Sequence, residues 1–115
     1  MLPRLYVLSR ADLIGDDTTK GYQAAQSAHA VAEYLLKYPA YDDPFFGKQR
    51  WSNGFLILVS VEDQERLEYY SWKASKIGLP VAEWREPDLE NTLTAIAVDI
   101  NEEKQANLFK KLPLL

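Results

Sequence analysis

The chain has 115 residues, no cysteine and a formal net charge of −4. One domain of this length buries roughly two-thirds of the surface its unfolded chain exposes, so its core needs neither a disulfide nor a metal. The acidic balance argues against a general nucleic-acid binder, the hydrophobic fraction of 47% with three tryptophans argues against disorder, and no stretch approaches the roughly 18 apolar residues of a membrane span. The start, Met1-Leu2-Pro3-Arg4-Leu5, lacks the apolar run of a leader peptide. With the missing cysteines, that sets a cytoplasmic expectation.

Leu5-Tyr6-Val7-Leu8 is rich in strand formers and predicts a buried strand over residues 4–9, with Arg10 just past its end. Asp12 to Thr19 reads as a polar loop with turn chemistry at Gly15-Asp16-Asp17 and a helix cap at Thr18 or Thr19. Residues 21–38 carry helical spacing, with Ala24, Ala28, Val31 and Leu35 forming a stripe that Ala25, Ala32 and Leu36 widen. His29, the single histidine, lies beside that stripe, with Glu33 one turn further on and within reach on a helix surface. Pro39 ends the helix.

From Ala40 to Asn53 the pattern breaks into turn residues and aromatics, and no element is assigned. Gly54 opens the apolar run Phe55-Leu56-Ile57-Leu58-Val59-Ser60-Val61, which reads as a central strand buried on both faces. Glu62-Asp63 start a second helix with an apolar stripe of Leu67, Tyr70, Ala74 and Ile77, closed by Gly78 and Pro80. Val81-Ala82-Glu83-Trp84-Arg85 reads as a third strand and Pro87 to Asn91 as a turn. Thr92 to Ile100 is the fourth strand, with Thr94, Ile96, Val98 and Ile100 on one face and Leu93, Ala95, Ala97 and Asp99 on the other. Asn101 caps a last helix carrying Leu108, Phe109 and Leu112.

Strand–helix–strand units require parallel crossovers, and the short third connection requires an antiparallel last strand. The expected architecture is a single α/β domain over residues 1–115, with three α/β/α layers around a mixed sheet of about four strands. In such sheets, sites form at the carboxyl ends of the parallel strands. Topology alone then gathers Arg10, Lys20, Glu86 and Thr92 on one rim, with Thr94 near and His29 deeper. The helix start at Lys20-Gly21 suits an anion, because unpaired N–H groups and the positive dipole end point outward there. Glycine also lets backbone come close to a bulky group. Each residue has an ordinary alternative: strand-end arginines as solvated charges, threonines for strand propensity, the histidine as a packing residue, and the tryptophans as packing or partner surface.

Arg10-Ala11-Asp12-Leu13, then Lys20-Gly21, Ala24-Ala25-Gln26 and Ala28-His29-Ala30, closely resembles the opening of the archaeal- and eukaryotic-type peptidyl-tRNA hydrolase (Pth2) family. Gly78-Leu79-Pro80, Thr92-Leu93-Thr94 and the ending Leu112-Pro113-Leu114-Leu115 are similar to later features of that family, in the same order. The resemblance implies cleavage of the ester joining a peptide to the terminal ribose of tRNA. It implies no metal or organic cofactor, and a homodimer as one assembly open to the chain. By the same resemblance His29 orients or deprotonates the water, and Lys20 contacts phosphate or stabilises negative charge. Gln26 and Thr92 supply hydrogen bonds, and Glu86 stands where the family has aspartate. His29, Lys20, Glu86 and Thr92 are thus candidate catalytic residues, and Arg10, Gly21, Gln26 and Thr94 candidate substrate-binding residues. The chain departs from the family pattern at Tyr22, where a basic residue is common, and in the shortened Pro87–Asn91 connection. Two function classes follow: a hydrolase, or the same fold acting as a protein- or small-ligand-binding module, with the aromatic segment Tyr41 to Trp51 as a partner surface.

Overall fold

The computed structural model describes residues 2–13, 19–39 and 50–115. Strand β1 (Arg4–Arg10) leads to helix α1 (Thr19–Lys37), strand β2 (Phe55–Val61), helix α2 (Gln64–Lys76), strand β3 (Val81–Glu86) and strand β4 (Thr92–Ile100). Short 3-10 segments at Pro87–Leu89 and Glu103–Leu108 follow β3 and β4. The sheet order is β2-β1-β4-β3. β1 and β2 are parallel, and β4 runs antiparallel to both β1 and β3. The three-layer mixed α/β architecture expected from the sequence is the one observed.

Strand alternation sends side chains to two separate cores. On one face Tyr6, Leu8, Val59, Ile96, Val98 and Ile100 pack with Leu67, Tyr70 and Ala74 of α2 and with Phe109. On the other, Leu5, Val7, Ala82, Ala95 and Ala97 pack with Ala30 and Tyr34 of α1 and with Trp51. Full burial of a side chain such as Leu67 contributes about 1.5–3 kcal/mol. Helix α2 starts where Asp63 Oδ1 accepts the Arg66 N–H at 2.9 Å and ends where Gly78 takes φ +86°. There the Leu79 N–H reaches the Ala74 carbonyl and the Gly78 N–H reaches that of Ser75, which satisfies two helix-end carbonyls.

Four local expectations are corrected. β2 is an edge strand, not a central one: Phe55 and Leu56 are exposed. The chain end covers part of that edge, where the Ser60 N–H donates to the Pro113 carbonyl and the Leu115 N–H to the Leu58 carbonyl. α1 buries Gln23, Gln26, Ser27, Ala30 and Tyr34 and turns Ala24, Ala25, Ala28, Ala32, Leu35 and Leu36 outward. Polar residues can take the inner face because they find partners there: Gln23 Nε2 donates to Ser60 Oγ of the sheet at 3.0 Å, and Ser27 Oγ donates to the Gln23 carbonyl one turn back in α1. Ile77 is exposed rather than part of the α2 stripe. The last helix is a 3-10 segment capped by Glu102, not Asn101, with Glu102 and Gln105 bonding each other's backbone reciprocally.

The connection after β3 closes tightly, with Glu90 and Asn91 both left-handed at φ 56° and 60° and the Asn91 N–H bonded to the Glu86 carbonyl. Asparagine tolerates that conformation where most residues resist it. The aromatic segment proposed as a partner surface lies outside the described residues except for Arg50 and Trp51, and Trp51 is buried. Among the described residues no helix is long and apolar enough to cross a membrane.

Candidate functional site

The carboxyl ends of β1 and β3 and the start of α1 share one end of the sheet, because β1 and β3 both run opposite to β4. A β-bulge shapes this end. Trp84 pairs with Ala95 and Arg85 with Leu93, which leaves Thr94 as the extra residue on β4. The sequence places Thr94 on the face of Ile96 and Val98; the bulge instead turns it to α1, beside Ala95, while Leu93 packs toward α2. Bulges re-aim side chains in this way beside functional sites.

Thr94 is fully buried, and its hydroxyl donates to Gln26 Oε1 at 2.7 Å. The same oxygen accepts the Trp84 indole N–H at 2.9 Å. That N–H is shared with Glu86 Oε2 at 3.1 Å, so Trp84 links an amide from α1 to a carboxylate at the end of β3. Both lone pairs of Gln26 Oε1 are engaged, which fixes the amide with Nε2 on the opposite side. Among the described residues no acceptor meets Gln26 Nε2. The imidazole of His29 lies on the indole of Trp84 with ring centroids 4.3 Å apart and planes 13° apart. His29 is exposed, Trp84 half-buried and Glu86 9% exposed. Tyr22, half-buried one turn before Gln26, has its phenol pKa raised by burial first and then by the charges of Glu86 and Asp88.

The eight candidates divide. Gln26, His29, Glu86 and Thr94 come together around Trp84. Thr94 stands behind Gln26, closed to direct contact with a bound molecule. Lys20 and Gly21 are exposed in the first turn of α1 at the same end of the sheet. A side chain built on Gly21 would meet nothing within 4 Å, so its backbone is open to an incoming group rather than pressed on the protein. The Thr92 hydroxyl donates to the Leu89 carbonyl and closes the 3-10 turn. Arg10 belongs elsewhere: its guanidinium forks onto Asp12 at 2.9 and 3.2 Å, and reaches the Leu93 carbonyl and Gln64 of α2. It braces the α2 side of the sheet, away from His29. His29 makes no hydrogen bond with Glu33, which instead lines a groove along the β3 edge with Lys37, Ser71 and Glu83.

Sequence reasoning missed Trp84. The signal was available, since on a strand Trp84 and Glu86 are two apart and share a face. Among the described residues no group of three or more His, Asp or Glu side chains is arranged to hold a metal ion. What the cluster offers is an exposed imidazole, an oriented amide and a nearly buried carboxylate, a set suited to activating water and receiving a developing negative charge.

A solved structure of a protein of unknown function from Agrobacterium tumefaciens str. C58 superposes with a TM-score of 0.66 at 13% sequence identity, covering 100% of this chain and 99% of that one. At that identity the likeness speaks for the fold. No curated protein matches the sequence. The family model described as peptidyl-tRNA hydrolase PTH2 matches residues 4–115. That match runs through every strand and helix around the cluster, and the chain belongs to the PTH2 peptidyl-tRNA hydrolase family.

Proposed function

We propose that this chain hydrolyses the ester between a peptide and the terminal ribose of tRNA, with His29 as the catalytic base. The observation that carries the reading is the exposed His29 imidazole set on Trp84 beside the oriented amide of Gln26. A water held by His29 attacks the ester carbonyl carbon and gives its proton to the imidazole. The carbonyl oxygen takes up negative charge, and Gln26 Nε2–H faces it as a donor. The tetrahedral intermediate collapses by breaking the bond to the ribose oxygen, which takes the proton back from His29 and leaves as a hydroxyl. Peptide acid and tRNA are the products, and atoms and protons balance without a cofactor.

Lys20 and the open N-terminus of α1 receive phosphate at the rim, and a glycine at position 21 leaves room for it. Glu86, tied to Trp84, stands as a carboxylate behind the imidazolium that forms during attack. This substrate places the chain in the cytoplasm, with peptidyl-tRNA as its partner. The test is release of peptide from a defined peptidyl-tRNA. The unmutated protein turns over, and His29→Ala loses at least about tenfold in rate, about 1.4 kcal/mol of transition-state stabilisation. A folded, unmutated protein without turnover removes the reading.

One pair of observations favours a second reading, a binding module on the same fold. Arg10 is engaged by Asp12, and the Thr92 hydroxyl by Leu89, so one group of the expected substrate-binding set and one of the expected catalytic set are already occupied. Under that reading the fold holds a protein partner or a small ligand, and peptidyl-tRNA is not cleaved.

A further inference from the structure

We infer that Trp84 is a positioning residue for this site, one side chain that sets the plane of the His29 imidazole and the orientation of the Gln26 amide. The inference rests on the hydrolase reading for its catalytic consequence, but its geometric content stands apart from it.

Two features of the same indole do different jobs. Its face carries the imidazole at 4.3 Å and 13°. An exposed histidine on a helix surface otherwise samples several rotamers, and a flat aromatic neighbour selects one of them. Its N–H lies 2.9 Å from Gln26 Oε1 and 3.1 Å from Glu86 Oε2. An amide side chain is close to symmetric in shape, so only its hydrogen-bond partners decide which end is oxygen. With the Trp84 N–H and the Thr94 O–H both directed at one atom, that atom must be the oxygen, and Nε2 takes the other end of the amide. Loss of either donor weakens the selection. Loss of the Trp84 N–H also leaves the nearly buried Glu86 carboxylate with one donor fewer, which frees it to swing toward solvent.

Position 84 is therefore not interchangeable with another apolar residue, although β3 would accept one. Phenylalanine retains the face and removes the N–H; leucine removes both. Thr94→Val removes the second donor to Gln26 and leaves the ring stack alone.

The experiment combines steady-state kinetics on a defined peptidyl-tRNA with NMR of the unmutated protein, Trp84→Phe, Trp84→Leu and Thr94→Val. The single histidine in the chain makes its ring resonances unambiguous. Trp84→Phe and Thr94→Val are expected to lower kcat by about tenfold with KM within about twofold, and Trp84→Leu to lower it further. The upfield ring-current shift of the His29 protons is expected to persist in Thr94→Val, to persist in part in Trp84→Phe and to vanish in Trp84→Leu. The two Gln26 side-chain NH resonances should move in Trp84→Phe and Thr94→Val alike. A kcat in Trp84→Phe and Trp84→Leu within about twofold of the unmutated protein overturns the inference. So does a His29 ring shift unchanged by Trp84→Leu. If the unmutated protein has no turnover the hydrolase reading fails, and the NMR results alone then decide whether Trp84 holds the two groups. Trp84→Phe, which keeps an aromatic ring, and the near-isosteric Thr94→Val keep the test open should Trp84→Leu fail to fold.

Discussion

The imidazole of His29 and the indole of Trp84 face each other almost in parallel, 4.3 Å between ring centroids, one side chain from α1 and the other from β3. The contact leaves His29 exposed to solvent on its free side. Diethyl pyrocarbonate should therefore modify one imidazole per chain and abolish peptide release from peptidyl-tRNA. The modification is followed by ultraviolet absorbance alongside residual activity. Full activity at complete modification would show that His29 takes no part in the reaction.

Tyr22 reports on the same cluster from another direction. Burial raises its phenol pKa, and the charges of Glu86 and Asp88 raise it further. Glu86→Gln should bring the Tyr22 titration down part of the way, since burial remains. NMR titration with 13C-labelled tyrosine reads this directly. An unmoved Tyr22 would mean that its hydroxyl does not sense Glu86.

The inner face of α1 can be tested by size. Ala30 is fully buried against the sheet, whereas Ala28 is exposed. Ala30→Leu overfills the interface and should cost about 1–3 kcal/mol. Ala28→Leu should change stability by less than about 0.5 kcal/mol. Urea denaturation of the two variants distinguishes them, and the opposite ranking would restore the alanine-inward helix that periodicity suggests.

Asp99 on β4 sets a pH dependence. It is 2% exposed, accepts hydrogen bonds from the Tyr34 hydroxyl and the Trp51 N–H, and leaves Oδ1 without a partner. Burial raises its pKa, and outweighs the opposing effects of those two bonds and of the Arg50 charge. The folded state thus holds this proton more tightly than the unfolded chain does. The resulting stability is complete below the ordinary aspartate value and declines as pH rises through the raised one. Asp99→Asn should remove that decline, seen as a flatter difference curve in denaturation midpoints across the acidic range. Tyr34→Phe removes a donor from the carboxylate and should cost about 1–3 kcal/mol at neutral pH. The Tyr34 phenol itself is pushed up, by burial first and then by its bond to Asp99 and the charge there.

Gly78 offers a simple control on the fold. At φ +86° an added Cβ would meet nothing within 4 Å, so Gly78→Ala suffers only the left-handed backbone penalty. A loss of about 1 kcal/mol is expected, measured as a lower thermal midpoint. No loss would indicate that the turn after α2 readjusts.

Local sequence determined the elements and their order: the β1 apolar run, the Asp63 cap and Gly78 turn of α2, and the antiparallel return of β4 after a short connection. These depend on residues close together in the chain, where propensity, capping and turn chemistry act directly. The Lys20–His29 block carried the family likeness for the same reason. Tertiary structure alone decided which side of α1 faces inward, because Gln23 and Gln26 become welcome in the interior only where Ser9, Ser60, Thr94 and Trp84 meet them. It also put β2 at the edge, since strand order is a matter of pairing between distant segments. The bulge that turns Thr94 toward Gln26, and the stacking of Trp84 on His29, belong to this second kind: one extra residue in a ladder reverses a face, and nothing in the alternation of β4 by itself marks where that residue falls.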